Sequence, residues 1–266
     1  MISTRICVLL LSIGLVFLGP RAARAVEIHV LGVGPIEAGR AGTDLWNASM
    51  YLTERRYDLA ITYSGLATEK ADQHGIKAIA HLARGCAYAG QGDAAKSQQE
   101  IETAFRLAPK SGMLYAAAGQ FQFRLGTYSR AVQYFERGLT AAPNHDLILD
   151  NLARLRATCP DAAFRNGAEA VRMARLAYAK KSAATKERFL RTLAAAEAEA
   201  GDFDAAIKHQ EELVNSLSPY RTLEERRKQL REDLEQYRNH RPRRHKPDTR
   251  KNLQWRDGMI IAALEH

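Results

Sequence analysis

Hydrophobic and polar positions recur along the chain in a three-part pattern: a turn, an aromatic residue, and an alanine three positions after the aromatic. A weaker copy begins at Gly92, and 34 residues separate Gly92 from Gly126, as they separate Pro109 from Pro143. A fixed period of this length is typical of helical repeat proteins. The clearest copies are Arg56-Tyr57-Asp58-Leu59-Ala60, Gly126-Thr127-Tyr128-Ser129-Arg130-Ala131 and Gly201-Asp202-Phe203-Asp204-Ala205-Ala206.

The pattern has the composition that two antiparallel helices need at a tight turn. Gly126 is expected to end the first helix in the left-handed conformation that glycine adopts without strain. Tyr128 is expected to pack between the helices, and Ala131 to lie where their backbones come nearest. Pro109 and Pro143 should end second helices, because proline lacks an amide donor and clashes with the preceding turn. The pattern therefore predicts helical hairpins.

The repeat resembles the tetratricopeptide repeat family over roughly residues 41–237. The third hairpin resembles the family pattern best, at Tyr115, Gly119, Gly126, Tyr128, Ala131, Phe135 and Pro143. The resemblance implies an all-α fold, a right-handed α-solenoid of about five hairpins at residues 41–220. In this register the hairpins begin near Ala41, Ala78, Gly112, Asp146 and Glu187.

The fourth hairpin departs from the regular pattern. Its turn, Ala157 to Gly167, is about five residues longer than the corresponding turns. The turn resembles a bacterial tetratricopeptide variant with the pattern Cys-Pro-Asp-x3-Arg-Asn-Gly.

The two ends of the repeat region have different patterns. Residues 221–237 carry apolar residues on one helical stripe, at Leu223, Leu230, Leu234 and Tyr237. We expect a capping helix here, because a stack of hairpins exposes an apolar face at its end. Residues 26–40 have no helical period and are expected to form an extended lead segment.

The first 25 residues resemble an export signal. A basic start precedes the uncharged apolar run from Ile6 to Gly19, and Ala23-Arg24-Ala25 supplies a small-x-small cleavage pattern. We expect cleavage after Ala25 and a periplasmic or secreted protein. The alternative is an uncleaved anchor, although the run is shorter than the roughly 20 apolar residues of a membrane span.

Positive charge is concentrated near the C-terminus. Residues 221–257 contain 13 Lys and Arg against 7 Asp and Glu, within a chain of net charge +9. Two interpretations of residues 238–266 stay open: a flexible solvated tail, or a tail that binds an anionic envelope surface, with nucleic acid disfavoured by export. The basic residues concerned are Arg238, Arg241, Arg243, Arg244, Lys246, Arg250 and Lys251.

Catalytic and cofactor patterns are missing from the sequence. The eight histidines have no metal-ligand spacing, and phosphate loops and nucleophile elbows are absent. Cys86 and Cys159 fall two repeats apart, on the order of 20 Å, which exceeds the reach of a disulfide. We therefore expect two unpaired thiols, no enzyme activity and no cofactor.

The family resemblance implies a binding groove lined by the first helix of each hairpin. Transferred position by position, it places there Gln120, Phe123, Arg124, Asp150, Arg154, Arg188 and Arg191. Arginine forks suit carboxylates, so we expect a protein or peptide partner with an acidic group. The alternative is that these residues form ordinary solvated helix faces. The predicted function is a non-catalytic interaction scaffold, or else a polyanion-binding protein that acts through its basic tail.

Overall fold

The computed structural model describes residues 27–28, 36–37, 41–179, 186–216 and 224–247. Within these ranges it contains eleven α-helices and one pair of two-residue strands. The strands, β1 Glu27–Ile28 and β2 Ile36–Glu37, pair antiparallel. The helices are α1 Gly42–Thr53, α2 Tyr57–Lys70, α3 His74–Gln91, α4 Ala94–Leu107, α5 Gly112–Leu125, α6 Tyr128–Ala141, α7 Asp146–Thr158, α8 Gly167–Ala179, α9 Lys186–Glu199, α10 Phe203–Ser216 and α11 Glu224–Arg238.

The helices form a tetratricopeptide-like α-solenoid, as the sequence predicted. Consecutive helices pack as five hairpins, α1–α2 to α9–α10, and α11 packs on α10 at the end. Each first helix (α1, α3, α5, α7, α9) also packs on the first helix of the next hairpin. The first helices therefore form one continuous wall, which we call the groove face. The predicted signal, residues 1–25, and most of the lead segment lie outside the described residues.

Glycine and alanine residues near the turns allow the two helices of a hairpin to pack closely. Gly92, Gly126 and Gly201 all have positive φ, between +81° and +90°, which confirms the left-handed cap predicted at Gly126. Ala131, at the helix crossing of the third hairpin, is completely buried. The second helices α4 and α6 end just before Pro109 and Pro143, as expected.

The long turn of the fourth hairpin is fixed by its own polar side chains. The Arg165 guanidinium donates to the carbonyl oxygens of Cys159, at 3.0 Å, and Pro160, at 2.9 Å. The Asn166 side chain caps α8 by accepting from the amide of Glu169. A Cβ atom at Gly167 would lie 2.7 Å from the Cα atom of Ala200, so only glycine fits this approach of α8 to the end of α9. Each polar residue of the turn thus has a structural role.

Ionisable groups inside the solenoid are largely paired or neutral. His81 Nδ1 and Arg84 Nη2 lie 2.7 and 2.8 Å from Glu100 Oε2. Burial alone would raise the pKa of Glu100, but these two hydrogen bonds outweigh it and hold the pKa below its ordinary value. Cys86 and Cys159 are buried free thiols, and burial raises the pKa of Cys86 to about 12.

No helix among residues 41–179, 186–216 and 224–247 is both long and apolar enough to cross a membrane. In the same ranges, no group of three or more His, Cys, Asp and Glu side chains is placed to hold a metal ion.

Candidate functional groove

The residues that follow α11 turn back across the groove face instead of extending into solvent. The helix ends in a left-handed turn in which the amide of His240 donates to Tyr237 O and the amide of Arg241 donates to Gln236 O. His240 has φ +53°, a conformation that non-glycine residues rarely adopt. Its ring stacks on Phe203 at the start of α10, with ring centroids 4.8 Å apart. This contact holds the turn that reverses the chain.

Residues 241–247, which we call the groove segment, then run along the C-terminal ends of α9, α7 and α5. They have no regular secondary structure. The amide of His245 donates to Thr158 O, at 2.6 Å, near the end of α7. Carbonyl groups at the end of a helix lack partners within the helix, so the groove segment satisfies one of them. Positive charge beside these carbonyl groups is also favoured by the helix dipole.

Arg244 forms the strongest ionic contact between the groove segment and the groove face. Its Nη1 atom lies 2.6 Å from Glu199 Oε2 at the end of α9. The other oxygen of Glu199 accepts from Arg165 Nε at 2.9 Å. The Glu199 side chain is only 12% exposed, so water screens this pairing weakly. The long turn of the fourth hairpin therefore also positions the carboxylate that receives the groove segment.

His245 and Pro247 occupy the end of the groove at α5. The His245 ring stacks on Phe123, with centroids 4.0 Å apart and an interplanar angle of 27°. Phe123 is 2% exposed, so its ring lies almost wholly beneath its neighbours. Pro247 lies over Gly126, where a Cβ atom would approach the proline Cβ to 3.4 Å. Phe123, one of the predicted groove residues, thus lies beneath the groove segment.

The predicted arginines of the groove pair with acids of the chain itself. Arg188 Nε lies 2.9 Å from Asp150 Oδ2, and its Nη2 donates to Asn151 Oδ1 at 3.0 Å. Arg191 Nη2 lies 3.2 Å from Asp233 Oδ2 on α11. These ion pairs connect neighbouring first helices and the capping helix, so they are part of the wall of the groove.

Arg154 lies at the centre of this charged layer. Its Nη2 donates to Asn151 Oδ1 at 2.7 Å, and its guanidinium carbon lies 5.8 Å from the ring centroid of Phe123. Burial lowers the pKa of Arg154 to about 10; the nearby carboxylate of Asp150 opposes this, and neighbouring arginines add to it. Asp150 is completely buried and places one negative charge beside the two cations Arg154 and Arg188.

The segment that occupies the groove face in this structure is basic, whereas the sequence predicted a partner with an acidic group. This segment is received by Glu199 and Asp233; Arg243 Nε lies 3.5 Å from Asp233 Oδ1. Asp150 and Asp233 pair with Arg188 and Arg191, so part of the positive charge of the predicted arginines is already compensated within the chain. Gln120 and Arg124, the other two predicted groove residues, are half-buried on α5.

The first part of residues 238–266, which the sequence predicted to be a basic tail, contacts the solenoid in this structure. Arg238 pairs with Glu211 and Glu235 at 2.9 and 2.8 Å, and Arg243 and Arg244 pair with the groove face. Only Arg241 and Lys246 of the basic residues in the groove segment are largely exposed. Arg250 and Lys251 lie outside the described residues. Arg243 and Arg244 therefore contact acids of the solenoid, and binding of the basic residues to an anionic surface stays a prediction.

Glu199, Thr158 and Asp233 were missed as groove residues. Thr158 and Glu199 occupy the same position of the fourth and fifth hairpins as Arg124 does in the third, so the repeat register contained a signal for them. Asp233 carried no such signal, because it belongs to α11 and faces the groove only through the packing of that helix. The arrangement as a whole can hold an extended chain by its backbone, its rings and its cations.

Comparison with known proteins identifies the repeats. The sequence model of the family described as "Tetratricopeptide repeat" matches residues 78–111 and 114–145, which cover most of the hairpins α3–α4 and α5–α6. A solved structure of a MamA mutant has 18% sequence identity to this chain and a TM-score of 0.39, covering 67% of this chain and 98% of that one. No curated protein matches the chain. The chain therefore carries tetratricopeptide repeats, which support a role as a protein–protein interaction scaffold.

Proposed function

We propose that this protein is an exported, non-catalytic scaffold that binds an extended segment of a protein partner on the groove face of its tetratricopeptide repeats. The observation that carries the proposal is the groove segment itself. Residues 241–247 lie across α9, α7 and α5 and make a backbone hydrogen bond, a ring stack and an ion pair there. These are the contacts by which a groove recognises an extended peptide, so a partner segment can make them as well.

The rigidity of the groove wall supports the same function. Asp150 and Arg188 join α7 to α9, and Arg191 and Asp233 join α9 to α11. Because these pairs fix the spacing of the helices before any partner arrives, binding does not have to order the wall. A prearranged surface loses less conformational entropy on binding than a flexible one.

Cross-linking from the groove face tests this function. A photoreactive amino acid replaces Gln120, which is half-buried on α5, and in the matched control it replaces Gln133, which is exposed on the second helix α6. We expect a partner to cross-link to position 120 and not to position 133. Cross-linking of the same proteins with the same yield from both positions would contradict a binding role for the groove.

Export is the second part of the proposal, and its support is the sequence of residues 1–25. The basic start, the apolar run and the Ala23-Arg24-Ala25 pattern are the parts of a cleaved signal. Mass spectrometry of the protein from a fractionated bacterial host checks it. We expect a chain that begins at Val26 in the periplasm or medium. An intact chain in the cytoplasmic fraction would contradict export, and an intact chain in the membrane fraction would favour the uncleaved anchor.

The long turn of the fourth hairpin belongs to the same proposal. We assign the chain to a tetratricopeptide variant in which the Cys-Pro-Asp-x3-Arg-Asn-Gly turn supports the groove. The support is Arg165, which binds the turn through the carbonyl groups of Cys159 and Pro160 and also contacts Glu199.

A further inference from the structure

The groove segment shows which residue types the groove face accepts, position by position. Arg243 approaches Asp233, and Arg244 contacts Glu199. The His245 ring lies on Phe123, and Pro247 lies over Gly126. Lys246, between these last two, points away and is exposed. The order of accepted groups is therefore two cations, a flat ring, an unselected position and a proline.

The two acidic positions are built for guanidinium groups. Asp233 and Glu199 are 5% and 12% exposed, and each also binds an arginine of the solenoid, Arg191 and Arg165 respectively. A carboxylate has two oxygens with about four acceptor sites, so each can serve one internal and one incoming cation. Without the incoming cation, part of each carboxylate would face the groove.

The ring and proline positions are equally defined. Phe123 offers a flat aromatic face, which favours a second ring in a stacked geometry. Gly126 has φ +81° as the cap of α5 and carries no side chain, so a proline ring can lie directly against the backbone there. The hydrogen bond from the amide of His245 to the carbonyl group of Thr158 holds the backbone of the groove segment between these two positions.

From these contacts we propose that the partner of the groove is a protein segment with two consecutive basic residues, a ring at the next position and a proline two positions further on. Residues 243–247 are the internal copy of that segment and compete with it for the groove. The proposal rests on the proposed function and replaces the acidic partner expected from sequence with a basic, proline-containing one.

Tethering makes the internal copy a strong competitor. The groove segment follows α11 directly, so its effective concentration at the groove is roughly millimolar, as for short tethers in general. The apparent association constant of an external segment equals its intrinsic association constant multiplied by the fraction of molecules whose groove is open. An external segment therefore binds well only when it matches the groove better than residues 243–247 or when the internal copy is weakened.

The test uses the full chain and a labelled peptide that copies residues 239–247. Arg244→Glu places a carboxylate against Glu199 and should release the groove segment. Lys246→Glu is the matched control, because it makes the same charge change at an exposed position of the segment. Hydrogen exchange of residues 241–247 reports release, and fluorescence anisotropy reports binding of the peptide. A second peptide with Glu at the positions of Arg243 and Arg244 tests the charge requirement.

We expect slow exchange of the groove segment in the unsubstituted chain and in Lys246→Glu, and fast exchange in Arg244→Glu. The peptide should bind Arg244→Glu at least about tenfold more tightly than it binds the other two chains. Glutamate at the two arginine positions of the peptide should abolish binding.

Three results would overturn the proposal. One is fast exchange of the segment in the unsubstituted chain, and another is slow exchange that persists in Arg244→Glu. The third is release of the segment with no preference for the basic peptide. In that third case, cross-linking from position 120 distinguishes the proposed function from the proposed specificity. If a partner is captured there, the groove is still a binding site, but it does not prefer basic segments.

Discussion

Replacing Asp150 distinguishes a structural ion network from a ligand site. Asp150 is completely buried on α7 and pairs with Arg188, and it is the main nearby acid for Arg154, whose pKa burial already lowers to about 10. Asp150→Ala leaves both guanidinium groups without this partner. If the residues form the wall of the groove, the substitution must destabilise the fold whether or not a partner is present.

The structure allows the size of the effect to be worked out. Removing one member of a buried ion pair costs about 3–5 kcal/mol in general. The Arg188 side chain is 24% exposed, so water can solvate its unpaired guanidinium group and reduce the cost. We therefore expect a cost of about 2–4 kcal/mol, which lowers Tm by roughly 5–15 °C in a chain of this size.

Thermal unfolding followed by circular dichroism measures this change, and Asp72→Ala is its control. Asp72 is exposed in the loop between α2 and α3, so its replacement should change stability by less than about 0.5 kcal/mol. The double substitution with Arg188→Ala should be less destabilised than the sum of the two single changes, by about 0.5–3 kcal/mol. Equal Tm values for Asp150→Ala and Asp72→Ala would refute the structural role.

Three further predictions concern other parts of the solenoid. Gly167→Ala should lower stability by about 1–3 kcal/mol, because the added Cβ atom would meet the backbone of Ala200. Gly75 has open space around it, so the control Gly75→Ala should raise stability by about 0.4–1 kcal/mol. Equal Tm values for the two variants would contradict the close approach at Gly167. The pKa of Glu100 is lowered in the fold, so its contribution is present above about pH 4.5 and lost as the pH falls through its lowered pKa. The Tm difference between the unsubstituted chain and Glu100→Gln should accordingly shrink below pH 4.5, and a constant difference would argue against the pairing. Burial raises the pKa of Cys86 to about 12, so iodoacetamide at pH 8 should modify its peptide only after denaturation; reaction at the rate of a free thiol in the native protein would show that Cys86 is accessible.

The repeat fold could be predicted because its determinants are local in sequence. Gly126, Tyr128 and Ala131 lie within six residues of one another, and together they specify the cap, the aromatic contact and the close crossing. Hairpins that repeat such a turn must stack, because a single hairpin cannot bury its own apolar face. The groove position of Phe123 followed from the same register.

The occupant of the groove could not be predicted, because its contacts join distant parts of the chain. Arg244 pairs with Glu199 and the amide of His245 binds Thr158, and only the folded stack brings these residues together. The reversal after α11 also lacked its usual signal, since His240 takes the left-handed position that glycine takes in the turns at Gly92, Gly126 and Gly201. Pro242 and Pro247 are incompatible with a continuous helix, but nothing in the sequence of this segment indicates a docking surface.

The central claim is that residues 241–247 occupy the groove of the tetratricopeptide stack, and the contact between His245 and Phe123 tests it most directly. Their ring centroids lie 4.0 Å apart. In a nuclear Overhauser spectrum of the full chain we expect cross-peaks between the two rings and an upfield shift of the His245 ring protons. Absence of these cross-peaks, with His245 at the chemical shifts of an unstructured peptide, would show that the groove is open and contradict the account.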